Sequence, residues 1–307
     1  MNEKKMTVNP MWVLFLGACP ALGATGTLKG AVAMGVTVLA VMLLTALVTA
    51  LLRRILPERA LIAATVLTAA LFTSAAQLVL HAVLPSVYKM LGVYLAVAAV
   101  NLLVFSRSAG SASGPCVGKA VATGLEFLAV IAVVALLREL FGSIDWIELD
   151  RGTIGEAEII ERCTARVGEP LRGAVEKLVG RWDRPELPVE GMKALTDELY
   201  EKGYGLYLLT NAGPRHREYW PRFAAAEHFP EERVYRSADV HLLKPDPAFY
   251  EGALGKFGLD RAECVFIDDS AANAESARRV GLDAIVFFGD AVRLRGELRA
   301  RGVNVGE

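Results

Sequence analysis

Three groups of polar residues in the second half of the chain have the types and order that phosphate and metal chemistry require. They are Thr210-Asn211, Lys244 and Asp268-Asp269. A hydroxyl and an ammonium group can hold phosphate oxygens, and adjacent carboxylates can hold Mg²⁺ together with water. The order predicts a phosphate site formed by Thr210, Asn211 and Lys244, with Thr210 and Lys244 as candidate catalytic groups. Asp268 and Asp269 are the candidate Mg²⁺ ligands.

Two residues of the first half, Cys19 and Glu126, lie in apolar surroundings where a reactive group is unusual. A lone cysteine is most often a small hydrophobic residue. A lipidated cysteine of a signal sequence is an alternative, because two lysines and a short apolar run precede it. Glu126 lies inside a long apolar run, which makes it a candidate for an ion pathway. A hydrogen bond between helices, with help from Thr123, explains it equally well.

Charge divides the chain near Ser143. Ten basic and four acidic residues lie up to that point, whereas 23 basic and 30 acidic residues follow it. The first part therefore needs a lipid solvent, and the second is typical of a water-soluble domain. The acidic second part argues against nucleic acid as a partner. The four cysteines lack the paired spacing of a disulfide scaffold or a structural zinc site.

Five apolar runs predict membrane spans, since a helix needs about 20 apolar residues to cross a bilayer. The runs cover 11–28, 30–52, 60–84, 90–105 and 117–137. Positive charges gather at the N-terminus and in the second and fourth loops. The positive-inside rule then predicts a multi-pass protein with a cytoplasmic N-terminus. Five spans would deliver the rest of the chain to the outside.

The second part alternates between helical and strand patterns. We predict helical structure over 154–181, helices at 190–202, 247–257, 271–280 and 291–301, and strands at 205–209, 264–267 and 284–288. Such alternation predicts a Rossmann-like α/β domain with a parallel sheet. The polar groups named above then meet at the carboxyl edge of that sheet.

The first part resembles the E subunit of Rnf electron-transport complexes and the D subunit of the sodium-pumping NADH:quinone reductase over about 8–142. The similar segments are Leu16–Pro20, Pro85–Tyr94 and Leu137–Gly142. The resemblance implies an ion-translocating redox protein of a bacterial-type inner membrane that pairs with a homologous membrane subunit and other subunits. It also implies a 2Fe–2S cluster shared with that partner, with Cys19 as one ligand. At the second ligand position this chain has Leu102, which has no thiolate to bind iron.

The second part resembles haloacid dehalogenase-like (HAD) hydrolases over about 141–303. Leu208–Asn211 matches the second motif of that family, Lys244 the third and Ile267–Asn273 the fourth. The resemblance implies a small helical cap at 143–185, a core at 186–307 and a Mg²⁺ cofactor. The first motif, an apolar strand ending in Asp-x-Asp that supplies the nucleophile, is missing. The only similar stretch surrounds Asp150 and has Gly152 where the second acid belongs, so we expect a core without its first strand.

The leading interpretation is thus a membrane domain similar to the Rnf E subunit, residues 1–142, fused to a HAD-like phosphohydrolase domain, residues 143–307, that we expect to be inactive. The alternatives are a membrane-anchored, Mg²⁺-dependent phosphatase and a non-catalytic phosphate-binding module. Both resemblances extend across Arg138–Ser143, and no linker rich in Gly, Ser or Pro separates them. That junction favours an accidental or artefactual fusion of two truncated proteins.

Overall fold

The chain divides into two compact units in a computed structural model that describes residues 26–92, 94–95, 117–184 and 188–306. Met1–Gly142 is here called the membrane unit, and Ser143–Glu307 is called the C-terminal unit.

The described part of the membrane unit is helical. Its helices are α1 (Leu28–Leu52), α2 (Glu58–Val83), α3 (Pro85–Leu91) and α4 (Val117–Phe141). Three segments are long and apolar enough to cross a membrane, namely Leu28–Leu52, Ala60–Val83 and Ala120–Phe141. They correspond to the second, third and fifth predicted spans. Most of the first and of the fourth predicted span lies outside the described residues.

Two glycines allow α1 and α4 to approach each other closely. A Cβ added to Gly35 would lie 2.3 Å from Leu128 Cδ1, and one added to Gly124 would lie 2.5 Å from Leu39 Cδ1. The order of these contacts shows that the two helices run antiparallel. Small residues at a helix contact are the usual means of close packing in membranes, where lipid removes the hydrophobic drive between helices.

Threonine hydroxyls in α1 and α2 are satisfied mostly by the helix that carries them. Thr37 donates to the carbonyl oxygen of Ala33 at 2.7 Å, and Thr65 donates to that of Leu61 at 2.8 Å. The hydroxyls of Thr49 and Thr65 lie 3.3 Å apart and connect α1 to α2. Such bonds keep polar groups satisfied where water is absent.

The C-terminal unit contains nine described α-helices and several short 3₁₀ turns. The helices are α5 (Ile144–Asp150), α6 (Glu156–Val167), α7 (Arg172–Arg181), α8 (Met192–Glu201), α9 (His216–Tyr219), α10 (Ser237–Val240), α11 (Pro247–Phe257), α12 (Ala271–Arg279) and α13 (Ala291–Ala300). The predicted helical stretch over 154–181 is divided at Gly168, whose φ of 104° favours glycine, followed by a 3₁₀ turn at Glu169–Leu171. The other predicted helices are present, and their ends differ from the predicted ones by at most two residues.

Four strands are described, and they form two separate parallel pairs. The strands are β1 (Leu208–Thr210), β2 (Val234–Arg236), β3 (Val265–Asp268) and β4 (Asp283–Val286). In the first pair Leu209 lies opposite Tyr235, and in the second Ile267 lies opposite Ile285. The single parallel sheet expected from sequence is therefore divided in the described residues, and β2 was not predicted.

Apolar clusters cover the two faces of the strands. Leu209 and Phe266 pack against the cluster built on Tyr250 and Ala277. Val265 and Ile267 pack on the other face, in a cluster shared with α8 and α13 that also includes Leu206. This arrangement is a layer of strands between helices, as expected for an α/β domain.

Candidate functional site

Lys244 lies at the carboxyl ends of β1 and β3. Its Nζ donates to Asp268 Oδ2 at 2.6 Å and to the carbonyl oxygen of Leu209 at 2.9 Å. The Lys244 side chain is 9% exposed and that of Asp268 is 5% exposed, so the ion pair is buried. Burying two charges is costly unless each finds a partner, which is the role this contact fills.

Asn211 holds the loop that carries Lys244. Its Nδ2 donates to the carbonyl oxygen of Lys244 at 2.9 Å, and its Oδ1 accepts from the Lys244 backbone N–H at 2.8 Å. The peptide bond that follows Lys244 is cis. The asparagine directly after β1 thus fixes the backbone of a residue 33 positions later.

Asp268 is held by three hydrogen bonds. Besides the bond to Lys244, its Oδ1 accepts from the Ser270 backbone N–H and from Asn273 Nδ2, each at 2.9 Å. Ser270 also caps α12 by accepting from the Asn273 N–H. A carboxylate has about four acceptor positions, so roughly one remains for a cation or a water. The site is therefore pre-ordered, with little acceptor capacity to spare.

Asp269, which follows Asp268 in sequence, is exposed, and Thr210, which follows Leu209, is half-buried. Mg²⁺ usually keeps several waters and uses one or two carboxylates together with phosphate oxygens. Asp268 and Asp269 match that donor chemistry. Over the described ranges, no group of three or more His, Cys, Asp or Glu side chains is close enough to hold a metal ion. The donor set fits a Mg²⁺ that depends on water and phosphate for most of its coordination.

Asp150 ends α5 and does not follow a strand. The structure thus excludes it from the strand-end position that a family nucleophile would occupy. Burial raises the pKa of the Asp150 carboxyl to about 7, although the Gly213 backbone N–H donates to it. Asp150 lines a small cavity with Trp146, Trp182 and Tyr219.

His216 and Tyr219 also border this cavity, and both have altered acidity. Burial, reinforced by the charge of Arg236, lowers the pKa of His216 to about 4. Burial and the neighbouring Asp150 raise the pKa of Tyr219 to about 12. At neutral pH the imidazole and the phenol are therefore both uncharged.

Ser237 is a residue that sequence reasoning missed. Its Oγ accepts from the Ala212 N–H at 2.9 Å and donates to the carbonyl oxygen of Asp150 at 2.5 Å. It therefore connects the loop after β1 to the end of α5. Its position directly after β2 was the available signal, and that strand was not predicted.

Of the candidate residues in the membrane unit, Glu126 alone lies within the described part of the chain. Glu126 lies on α4 and is exposed within the described residues. Cys19 and Leu102 lie outside the described residues.

Comparison with known proteins gives one family for each part of the chain. The Rnf-Nqr subunit family, described as a membrane protein, matches residues 2–170. The haloacid dehalogenase-like hydrolase family matches residues 119–281. Each match covers more than half of the chain. The chain therefore belongs to the Rnf-Nqr membrane subunit family through its N-terminal part and to the HAD-like hydrolase family through its C-terminal part. Both predicted resemblances are confirmed.

Curated relatives match the membrane part. The E subunit of an ion-translocating oxidoreductase complex from Shewanella amazonensis is 33% identical over 138 residues, covering 44% of this chain and 60% of that protein. The E subunit of a proton-translocating ferredoxin:NAD(+) oxidoreductase complex from Clostridium ljungdahlii is 30% identical over 139 residues, covering 44% of this chain and 65% of that protein. The chain thus spans less than two thirds of the length of these relatives.

Solved structures resemble the C-terminal part. A HAD family enzyme from Bacteroides thetaiotaomicron has a TM-score of 0.43 at 23% identity, covering 51% of this chain and 79% of that one. A HAD-like family hydrolase from Porphyromonas gingivalis has a TM-score of 0.45 at 18% identity, covering 55% of this chain and 88% of that one.

Proposed function

We propose that the membrane unit works as a subunit of an electron-transport complex that moves Na⁺ or H⁺ across a bacterial-type inner membrane. The observation that carries this proposal is the 30–33% sequence identity to the E subunits of two ion-translocating complexes. The same part of the chain has three helices long enough to span a bilayer. Its N-terminus lies in the cytoplasm, and its partners are a homologous membrane subunit and further redox subunits. Glu126, the exposed acid on α4, is the candidate group of the ion pathway.

Capture of partner subunits tests this assignment. The full chain, tagged and expressed in a bacterium that makes an Rnf complex, should purify from mild detergent together with membrane redox subunits. The Gly35→Leu variant, which disturbs the contact between α1 and α4, should capture much less of them. Purification of the folded wild-type chain without redox subunits would contradict the proposal.

The residues for iron binding do not fit a shared cluster. Cys19 offers one thiolate, whereas Leu102 offers no ligand, and two thiolates from each partner are what a cluster shared equally by two chains needs. We therefore expect the wild-type chain to lack the cluster. Leu102→Cys should raise the iron and acid-labile sulfide of the co-purified pair, whereas the adjacent Leu103→Cys should not. Equal iron in wild type and Leu102→Cys would refute this interpretation.

We further propose that the C-terminal unit binds phosphate and Mg²⁺ and does not hydrolyse phosphate esters. The buried Lys244–Asp268 pair supports it, because the ammonium is held by a carboxylate and a backbone carbonyl and faces no described nucleophile. Thr210, Asn211 and Lys244 would hold phosphate, and Asp268 and Asp269 would hold Mg²⁺. Bound Mg²⁺ would neutralise phosphate charge.

Phosphate binding and phosphate release separate this proposal from its alternative. Calorimetry with inorganic phosphate and Mg²⁺ should show binding that Asp268→Ala removes. Asp283→Ala, at the opposite end of the β3–β4 pair, should leave binding unchanged. Mg²⁺-dependent hydrolysis of p-nitrophenyl phosphate that is lost in Asp268→Ala would instead establish a membrane-anchored phosphatase.

We propose that the junction near Arg138–Ser143 is an accidental or artefactual fusion of two truncated proteins. The family matches overlap over residues 119–170, and five spans would place a Mg²⁺-binding domain outside the cell. Long reads of the source DNA across the codons for Leu137–Trp146, together with a junction peptide found by mass spectrometry, test this. Two separate genes would support the proposal, and an intact gene with its peptide would refute it.

A further inference from the structure

The small cavity of the C-terminal unit has three aromatic rings in its wall, those of Trp146, Trp182 and Tyr219. The ring centroids of Trp146 and Trp182 lie 5.7 Å apart, and those of Trp182 and Tyr219 lie 5.4 Å apart. Each pair is nearly perpendicular, at 84° and 81°, so neighbouring rings form adjacent sides of the space. Trp182 is 42% exposed, so the aromatic wall can be reached from solvent. Aromatic rings around a space attract cations, because the face of each ring is electron-rich.

The Asp150 carboxyl group, which also lines this cavity, lacks a cationic partner in the part of the chain that the structure describes. Burial raises its pKa to about 7, and a hydrogen bond from the Gly213 backbone N–H acts in the opposite direction. No cationic side chain contributes to this balance. A buried carboxylate is normally paired with a cation or a metal ion. Asp150 is therefore a buried anion whose partner is missing.

Arg215 lines the cavity as well, but its charge is used by other carboxylates. Its Nε donates to Glu156 Oε1 at 2.5 Å, and its Nη1 donates to Asp183 Oδ1 at 3.1 Å. Its guanidinium carbon lies 5.8 Å from the centre of the Tyr219 ring, so the aromatic wall already accommodates one cation. Because the charges of Glu156 and Arg215 cancel within the lining, ionised Asp150 gives the cavity a net negative charge.

His216 adds a polar group to the lining without adding charge. The residue is 4% exposed, and its Nδ1 is buried without a hydrogen-bond partner among the described residues. Burial, reinforced by the charge of Arg236, lowers the pKa of the imidazole to about 4. At neutral pH the ring therefore does not repel a cation, and one of its two nitrogens is an acceptor.

The size of the cavity selects among cations. It holds a group of about the size of one water molecule. A primary ammonium group is close to that size, whereas a trimethylammonium group carries three more carbon atoms and is too large. A primary ammonium group also has three N–H donors, which suit a carboxylate in a charge-assisted hydrogen bond.

We propose that this cavity binds the ammonium group of a small primary amine, with Asp150 as its counter-ion and Trp146 and Trp182 as its aromatic walls. The site uses none of the residues assigned to phosphate, Mg²⁺ or ion movement. Its test contains neither phosphate nor Mg²⁺, so its failure is distinguishable from failure of the proposed function.

Titration of the full chain in detergent with methylammonium chloride tests the site. In a chain labelled with 5-fluorotryptophan, the fluorine NMR signals of Trp146 and Trp182 should shift saturably, whereas that of Trp12 in the membrane unit should not. The dissociation constant should lie in the millimolar range, because so small a ligand has limited affinity. Sodium chloride at equal ionic strength gives the baseline.

Two control ligands separate charge from size. Tetramethylammonium has the same charge but is too large, and methanol has a similar size but no charge. Both should bind at least about tenfold more weakly than methylammonium. Tetramethylammonium or methanol binding as tightly as methylammonium would overturn the proposal.

A pair of variants on α5 tests the counter-ion. Asp150→Asn removes the charge and keeps the shape, so it should weaken methylammonium binding about tenfold or more. Glu148→Gln is the matched control, because Glu148 pairs with Arg162 and is not part of the cavity lining. It should leave binding unchanged. Equal binding by wild type and Asp150→Asn would overturn the proposal.

The pH dependence of binding tests the site in the wild-type chain. Only ionised Asp150 is a counter-ion and its pKa is about 7, while the amine stays protonated as lysine does. Affinity should therefore rise about tenfold from pH 6 to pH 8. His216 and Tyr219, with pKa values of about 4 and about 12, do not titrate in this window. An affinity that does not change with pH, or no saturable shift of either tryptophan signal in the folded wild-type chain, would contradict the proposal.

Discussion

The two units satisfy their buried polar groups in opposite ways. In the membrane unit, the threonine hydroxyls of Thr65 and Thr73 bond to carbonyl oxygens four residues earlier in the same helix. In the C-terminal unit, some buried charges bond across long stretches of chain, as Lys244 does with Asp268. A segment in lipid has to satisfy its polar groups internally. A domain in water can use distant partners, because its chain is free to bring them together.

A second difference concerns buried charge. Arg236 is fully buried and is held by Glu231 and Asp239 at 2.8–3.1 Å. Asp183 is likewise buried and contacts Arg215 and Arg222. Loss of a single ion-pair partner should therefore lower the stability of the C-terminal unit most. The stability of the membrane unit should depend most on side-chain volume where its helices pack.

The largest expected effect comes from removing the partner of Asp268. Lys244→Met leaves a buried carboxylate without its cation, which typically costs about 3–5 kcal/mol of stability. Urea unfolding of the full chain, followed by tryptophan fluorescence, measures it, since Trp146, Trp182 and Trp220 all lie in the C-terminal unit. Lys202→Met is the matched control, because its pair with Glu198 is more exposed and should contribute far less to stability. Equal losses in the two variants would remove the distinction between buried and exposed pairs.

A smaller effect is expected from filling the space at Gly35. Gly35→Leu would place side-chain atoms on Leu128, whose Cα lies only 3.1 Å from an added Cβ, and overpacking of this kind costs about 1–3 kcal/mol. Thermal unfolding in detergent, followed by circular dichroism, measures the change. Gly180→Ala in α7 is the control, since an added Cβ there meets no atom within 4 Å. It should raise stability by about 0.5–1 kcal/mol. An unchanged unfolding temperature for Gly35→Leu would show that α1 and α4 separate freely.

A further effect, spread over several pH units, is a pH dependence of stability at Asp150. Its pKa is raised to about 7 in the folded chain, so the folded state holds a proton that the unfolded state has lost. The stabilising contribution of the protonated Asp150 carboxyl is fully present below about pH 4 and is lost as the pH rises through about 7. The slope is at most about 1.4 kcal/mol per pH unit. Asp150→Asn should abolish this decline in urea titrations between pH 4 and 7.

His216 provides the opposite sign in the same experiment. Its pKa is lowered to about 4, so its contribution is present above the unfolded value near 6.5 and is lost as the pH falls towards 4. His216→Gln should therefore reduce the loss of stability on acidification. Identical pH profiles for both variants and the wild type would show that the cavity around Asp150 is open to water.

Local patterns predicted the elements whose ends are set by neighbouring residues. Helix α11 begins at Pro247 and ends at Phe257 as predicted, because Asp246 accepts from the Ala248 N–H and proline suits the first helical turn. Strand β2 was missed because it has only three residues and includes the buried charge of Arg236, which interrupts an apolar strand pattern. The ion pairs with Glu231 and Asp239 that make this charge tolerable form only in the folded chain.

The sequence by itself determined the division of charge near Ser143, the apolar spans and the order of Thr210, Lys244 and Asp268. These depend on composition and spacing, which act through the solvent and through local hydrogen bonds. Only the tertiary structure decided that Lys244 reaches both Leu209 and Asp268, and that β1 and β3 keep unpaired edges in the described residues. Contacts between distant segments depend on how the whole domain packs, and no periodicity along the chain encodes them.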